Sequence, residues 1–198
     1  MPQMMNTPLV NIHTHRPTGT AIEPTFSGIH PWDAASQPLD AIRPSIAGAD
    51  MVGEIGLDYA CTTDREAQRR LFREQLTLAE EFSKPVILHC VKAFEPVMEE
   101  LAHHRLPAVI FHGFIGSPQQ AARAIEKGYY LSFGERTFSS PRTVEALRAI
   151  PEERLLAETD ESPLTIEQIY RQIAEIRGVT VERLRDQIYH NYEAIFKR

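Results

Sequence analysis

The chain has 198 residues, 42% hydrophobic and 24% charged, a composition ordinary for a soluble globular protein with one sizeable core and short for two domains. Its net charge of −6 argues against a broad basic surface for nucleic acid, although bound divalent cations would invert the sign of an acidic site locally. Apolar stretches are only a few residues long, which excludes a transmembrane helix, and residues 1–6 lack the basic-then-apolar pattern of a secretory leader. The two cysteines, Cys61 and Cys90, lack C-x-x-C spacing and read as reduced thiols of a cytoplasmic protein.

In chain order, apolar or β-branched runs at 9–12, 26–29, 51–57, 85–88, 108–111, 129–133 and 154–157 predict strands. Helical patterns lie between most of them. The segment 65–82 sets Leu71, Gln75, Leu78, Ala79 and Phe82 on one face, and 94–103, 118–127 and 141–149 are shorter helices, with Gly128 stopping the second of these. After Pro163 the pattern is all helical, 165–177 and 180–196, with Gly178 as a stop. That pair superficially reads as a DNA-binding helix-turn-helix. Glu175, Glu182 and Asp186 on its polar face disfavour phosphate contact, so packing helices that close a barrel are the better reading. Strand–helix alternation over one domain, residues 1–198, means an α/β fold with a parallel sheet, open or closed.

The strand ends carry the chemistry. His13 and His15 close the first run, and residues two apart on a strand share a face, which aims both imidazoles at one point. Such a pair alone is more often surface or core histidine than a metal site. Later runs end in His30, in Glu54 through Tyr59, at His89, at His112, and in Glu158-Thr159-Asp160. In α/β architectures the carboxyl ends of parallel strands form the functional face, so these residues are expected in one pocket. Four imidazoles and two carboxylates suit two borderline divalent ions, with a carboxylate able to bridge them. Two such ions suit hydrolysis of phosphate esters or amides.

Six blocks stand in order: His13-Thr14-His15, Gly28-Ile29-His30-Pro31, Gly53-Glu54-Ile55-Gly56-Leu57-Asp58-Tyr59, Ile87-Leu88-His89-Cys90, Phe111-His112-Gly113-Phe114-Ile115-Gly116 and Glu158-Thr159-Asp160. On these the chain resembles the TatD-related metal-dependent deoxyribonucleases of the amidohydrolase superfamily. The resemblance implies a TIM-barrel-like (β/α) metallohydrolase with C-terminal helices, two divalent ions (Mg, Mn or Zn), and a DNA or small phosphodiester substrate. It further implies that His13, His15, Glu54 and Asp160 hold one ion. Glu54 would bridge to a second ion held by His89 and His112, and Asp160 would orient or deprotonate the attacking water. Asp160 and Glu54 are therefore the catalytic candidates. His30 is expected beside the ligands or facing substrate, with a structural histidine as the competing reading. Tyr59, at the end of its motif, is a further substrate-facing candidate.

The chain also departs from the family pattern. Only twelve residues separate His15 from Gly28, where relatives place a helix, a strand and another helix. One strand is thus missing or very short, with Ala21-Ile22-Glu23 as its candidate remnant. The loop after Asp160 is shortened too. Where the family commonly has arginine three residues after the second-metal histidine, this chain has Lys92, a point charge without a bidentate fork. Arg136 is the other basic candidate, against the plainer reading of a solvated loop arginine. The expected function is a metal-dependent phosphodiesterase of the deoxyribonuclease type. Hydrolysis of a small ester, lactone or amide is the first alternative, and a metal-binding protein with little turnover the second. No membrane association and no protein partner are expected. His103, His104 and His190 carry no motif and read as surface residues, and Cys90 as a packed thiol.

Overall fold

The computed structural model describes residues 7–36 and 38–197; residues 1–6, read above for a leader, lie outside them. The described residues fall into two compact units. One comprises Pro24–His112 with Arg123–Tyr130; the other comprises the chain up to Glu23, Gly113–Ala122 and everything from Leu131 onward.

In the first unit β1 (Phe26–Ser27), β2 (Met51–Asp58), β3 (Val86–Val91) and β4 (Val109–Phe111) pair in parallel, each with the next. Strand β2 is buried over its whole length. That fits its apolar residues on both faces, Val52 and Ile55 among them, because a parallel strand inside an α/β layer sees no solvent. The β2–β3 register is regular from Ile55↔Leu88 onward but shifts between Val52 and Ile55, and Glu54 sits in that irregularity. Gly56 has φ 139, and a Cβ on it would stand 2.0 Å from the His89 carbonyl oxygen, so only glycine lets β2 approach β3 there.

Helices α1 (Leu39–Gly48), α2 (Arg65–Glu81) and α3 (Phe94–Leu101) belong to the same unit. Asp64 caps α2 by accepting from the Ala67 amide. The buried stripe of α2 contains Leu71, Phe72, Leu76, Leu78 and Ala79, the period-3.6 face expected of a helix on a sheet. It also contains two buried glutamines, Gln68 and Gln75. The sequence reading placed no helix at α1, which carries Pro44 in its interior and has no side-chain N-cap. Its local signals are those of a breaker, and packing of Ile42 and Leu39 beside Ile29, Ala34 and Leu71 overrides them.

In the second unit β5 (Tyr130–Phe133) pairs in parallel with β6 (Leu155–Ala157), with α4 (Pro118–Glu126) preceding β5 in the chain. The expected strand at 9–12 is not a regular ladder but an extended segment held by single bridges, Val10 to Ile22 and Thr14 to Asp160. Ile22 is the centre of the expected remnant strand, and it is reduced to that one bridge. Beyond β6 the pairing continues: Ile12 donates to the Ala157 carbonyl, Asp160 to that of His13, and His15 to that of Asp160. Helices α5 (Glu135–Phe138), α6 (Pro141–Ala149), α7 (Ile166–Arg177) and α8 (Val181–Phe196) complete this unit. Thr165 and Gln168 form a capping box at the start of α7, Gly178 ends it in the left-handed conformation at φ 65, and Thr180 caps α8.

Candidate metal centre

Each unit assembles its own group of imidazoles and carboxylates. In the first, Glu54 is 8% exposed on β2, and one of its oxygens gathers three histidines. His89 Nδ1 lies 2.6 Å from Glu54 Oε1, His112 Nε2 lies 2.6 Å away, and His30 Nε2 lies 3.5 Å away. These histidines come from the segment after β1, from β3 and from the residue after β4. Parallel strands of matched register deliver them to one end, as the carboxyl-end rule requires. His30, Glu54 and His89 each offer one ligand atom, all within 4.8 Å of one another. Imidazole nitrogens and a buried carboxylate at such spacing form the donor set of a borderline divalent cation, and the residues fit the metal the strand-end pattern calls for.

His89 is held from both sides. Its Nε2 stands 3.1 Å from Asp58 Oδ2 while Nδ1 faces Glu54. A carboxylate on the far nitrogen fixes ring orientation and strengthens the near nitrogen as a donor. Asp58 is buried at the end of β2 and also receives the Trp32 indole N–H at 2.7 Å and the amides of Ala60 and Cys61. Burial pushes its carboxyl up, but the Trp32, Ala60 and His89 contacts outweigh burial and hold it below the usual carboxylate value.

Helix α2 reaches both supporting strand ends. The Gln75 side chain accepts from the Ile29 amide at 2.6 Å and donates to the Ile29 carbonyl at 3.0 Å, immediately before His30. The Gln68 side chain does the same for Asp58, accepting from its amide at 2.8 Å and donating to its carbonyl at 3.0 Å. Each amide side chain thus satisfies the backbone of a segment that has left the sheet ladder.

In the second unit His13, fully buried, and His15, part-exposed, both approach Asp160: each Nε2 lies 3.6 Å from Asp160 Oδ1. Their ring centroids are 4.9 Å apart, so the two imidazoles converge as strand alternation predicts. Asp160 has φ 54, a conformation that aspartate tolerates better than most residues and that recurs at functional positions. The turn carrying it is fixed by Asn11, whose side chain accepts from the Thr159 amide and donates to the Thr159 hydroxyl, both at 2.9 Å.

Other sequence candidates stand apart from these sets. Lys92 is exposed at φ 51 just after β3. Arg136 is exposed on α5, a short helix where a loop was expected. The Tyr59 ring is covered by the Arg65 guanidinium at 4.5 Å, and burial raises its hydroxyl against the opposing pull of Arg69 and Arg65. Among the described residues, none of the three has a hydrogen bond or ion pair to the imidazole–carboxylate sets. His104, read as a surface residue, is instead half-buried, with Nδ1 2.9 Å from Glu80 Oε2. Asp58, Gln68, Gln75, Asn11 and Trp32 received no role in the sequence reading. Asp58 was accessible to it, since Glu54, Gly56 and Asp58 alternate onto one face of β2.

The chain is also similar to known proteins. The sequence model described as TatD related DNase matches residues 20–197. The chain is 34% identical to a 3'-5' ssDNA/RNA exonuclease TatD of Pectobacterium carotovorum, over 86% of this chain and 76% of that one. It is 32% identical to the uncharacterized metal-dependent hydrolase YabD of Bacillus subtilis, again over 86% and 76%. Among solved structures, the TatD homolog YjjV of Escherichia coli superposes with a TM-score of 0.81 at 27% identity, covering 89% of this chain and 77% of that one. A TatD family hydrolase of Entamoeba histolytica superposes at 0.77 with 19% identity, which speaks for the fold alone. The fold is thus the TIM-barrel-like α/β fold shared with these proteins, and the site chemistry is that of a metal-dependent hydrolase. On the family match and these relatives together, the chain belongs to the TatD related DNase family.

Proposed function

We propose that the protein is a phosphodiesterase acting on single-stranded DNA or RNA, with one catalytic domain and two divalent ions held by His13, His15, Glu54, His89, His112 and Asp160. The observation that carries this reading is the Glu54 oxygen shared by His89 and His112 at 2.6 Å each, alongside a second, separately built set in which His13 and His15 share one Asp160 oxygen. Two such sets are what two ions require, and the names of the exonuclease relatives support a polynucleotide substrate. Bound divalent ions would draw charge from a phosphoryl oxygen and supply a nucleophilic water at neutral pH. Asp160 would accept a proton from the attacking water, Glu54 would hold the ligand histidines in register, and Asp58 would orient His89. Lys92 and Arg136, both exposed, are assigned to holding substrate phosphates, and His30, a further donor beside Glu54 and His89, to the substrate-facing side of that set. Tyr59, its ring already covered by Arg65, would contribute through its hydroxyl. The free thiols Cys61 and Cys90 support a cytoplasmic setting.

The test is hydrolysis of single-stranded DNA, RNA and a generic phosphodiester by the purified protein loaded with Mg²⁺, Mn²⁺ or Zn²⁺. Metal-dependent release of nucleotides is expected. Turnover of a lactone or acyl amide, with none on any phosphodiester, would replace this reading by that of a small-molecule hydrolase. The net charge of −6 and a lysine in place of a bidentate arginine favour that second reading.

A further inference from the structure

Trp32 is the single tryptophan of the chain and is 60% exposed, yet it is held at three points. Its indole N–H donates to Asp58 Oδ2 at 2.7 Å, its amide donates to His30 Nδ1 at 3.2 Å, and its carbonyl accepts from the Thr63 hydroxyl at 2.9 Å. A single exposed apolar side chain is ordinary on a surface; this one is distinguished by its bond to a buried carboxylate. Its ring neighbours are imidazoles, His30 at 4.6 Å and nearly perpendicular, and His89 at 6.2 Å. A fixed indole among hydrogen-bonding groups offers no footing for a membrane or a broad protein interface, which need contiguous apolar area. It suits a single planar ring that brings its own polar edge.

We propose that Trp32 is the stacking platform for an unpaired nucleobase of the substrate, placed beside the His89 and Glu54 cluster that serves the phosphodiester. The inference rests on the phosphodiesterase reading and adds to it the side chain that would hold a base. Because Asp58 holds the ring and the His30 and Thr63 contacts hold the backbone that carries it, little side-chain freedom is lost when a base settles on it. Stacking on an aromatic face tolerates any base, so the platform gives affinity without sequence preference. It would also offset the weak phosphate grip left by an exposed Lys92.

Quenching of Trp32 fluorescence in the metal-loaded protein tests this directly, because no other tryptophan contributes. The probes are deoxyadenosine monophosphate and deoxyribose phosphate, monoesters that differ only in the base. Saturable quenching by the nucleotide alone is expected, with roughly tenfold tighter binding than deoxyribose phosphate by calorimetry. Trp32→Phe and Trp32→Leu both lose the bond to Asp58, but only phenylalanine keeps a planar face. Trp32→Phe should retain most of the preference for the nucleotide and Trp32→Leu should erase it. Equal binding of the two monoesters by the unmodified protein overturns the proposal, as does equal loss of preference in both variants. Hydrolysis of single-stranded oligonucleotides is assayed in parallel. Turnover without base preference removes the Trp32 platform and leaves the phosphodiesterase reading standing, whereas base preference without turnover does the reverse.

Discussion

The hydroxyl of Tyr170 on α7 brackets the backbone of Val10: it accepts from the Val10 amide at 3.1 Å and donates to the Val10 carbonyl at 2.9 Å. Val10 lies three residues before His13, and its neighbours Leu9 and Asn11 bond to Ile22 on the other side. The phenol therefore substitutes for a strand neighbour on an extended segment that has almost no ladder of its own. Burial drives its ionisation above the usual tyrosine range, so the hydroxyl stays a neutral donor at any working pH.

Removing that hydroxyl leaves two buried backbone groups unpaired. Tyr170→Phe is expected to cost about 1–3 kcal/mol, read from the urea midpoint with an unchanged slope. It should also weaken metal binding more than a distant core change of equal cost does, because it loosens the segment that carries His13. A variant as stable as the parent would show that Val10 is adequately held without it.

Gln75→Leu is a nearly shape-conserving change that strips both bonds from Ile29. The expected loss is about 2 kcal/mol or more, since an amide and a carbonyl are left buried without partners. Thermal melting checks it. An unaltered melting temperature would mean that water or a shifted backbone satisfies Ile29.

Asp160→Asn should abolish turnover, by about a hundredfold or more, while much of the bound metal remains. Asparagine tolerates the φ of 54 found at this position, so the fold is spared and the loss isolates the carboxylate. Near-normal rates in this variant would remove Asp160 from the mechanism. Alanine is a poorer choice, because it adds backbone strain to the chemical loss.

Glu54→Gln is expected to lower affinity for Mn²⁺ or Zn²⁺ by more than about tenfold in a calorimetric titration, because a ligand change should cost at least what a change in its supporting shell costs. Unchanged affinity would take Glu54 out of the ligand set. The parent protein should also melt at a higher temperature with metal than after chelation, since ligands that bind only the folded state stabilise it.

An ion-pair cluster between α2 and α3 contributes to acid sensitivity. Glu100, 3% exposed, accepts from both Arg69 and Arg73 at 2.6–2.9 Å. Burial alone would raise its carboxyl, but the two guanidinium groups hold it below the usual glutamate value. Its folded-state value is thus depressed, so its contribution is full above about pH 4.5 and fades as pH falls through the folded value. Glu100→Gln should destabilise at neutral pH by about 1–3 kcal/mol, with the arginines' solvent exposure keeping the figure modest. The gap to the parent should close on acidification. A gap independent of pH would assign the loss to packing.

Sequence periodicity reached the histidines of the two sets because each stands near the end of an apolar run. His13 and His15 converge as a period of two requires, and Glu54 is as buried as its apolar flanks imply. The supports were hidden for a different reason. Gln75 is recognisable as part of the buried face of α2, but nothing local says that its amide will hold Ile29, 46 residues earlier. Trp32 gives no sign in the chain that its ring stays in solvent, since exposure is decided by partners such as Asp58 that tertiary structure brings. Helix α1 was masked by Pro44, whose local penalty is overruled by packing. Lys92 and Arg136, singled out in the chain as basic residues near strand ends, are exposed and not hydrogen-bonded into the imidazole–carboxylate sets.

The two glutamines of α2 are seven residues apart, almost two turns, which puts them on one face about 10 Å apart along the axis. One holds the segment entering His30 and the other the residue that orients His89. The helix therefore acts as a ruler between two parts of the centre. Exchanging solvent-facing residues such as Arg70 or Glu74 leaves that measure untouched. Inserting or deleting one residue between Gln68 and Gln75 would swing one amide about 100° away from its strand end. For this stretch, register matters more than composition.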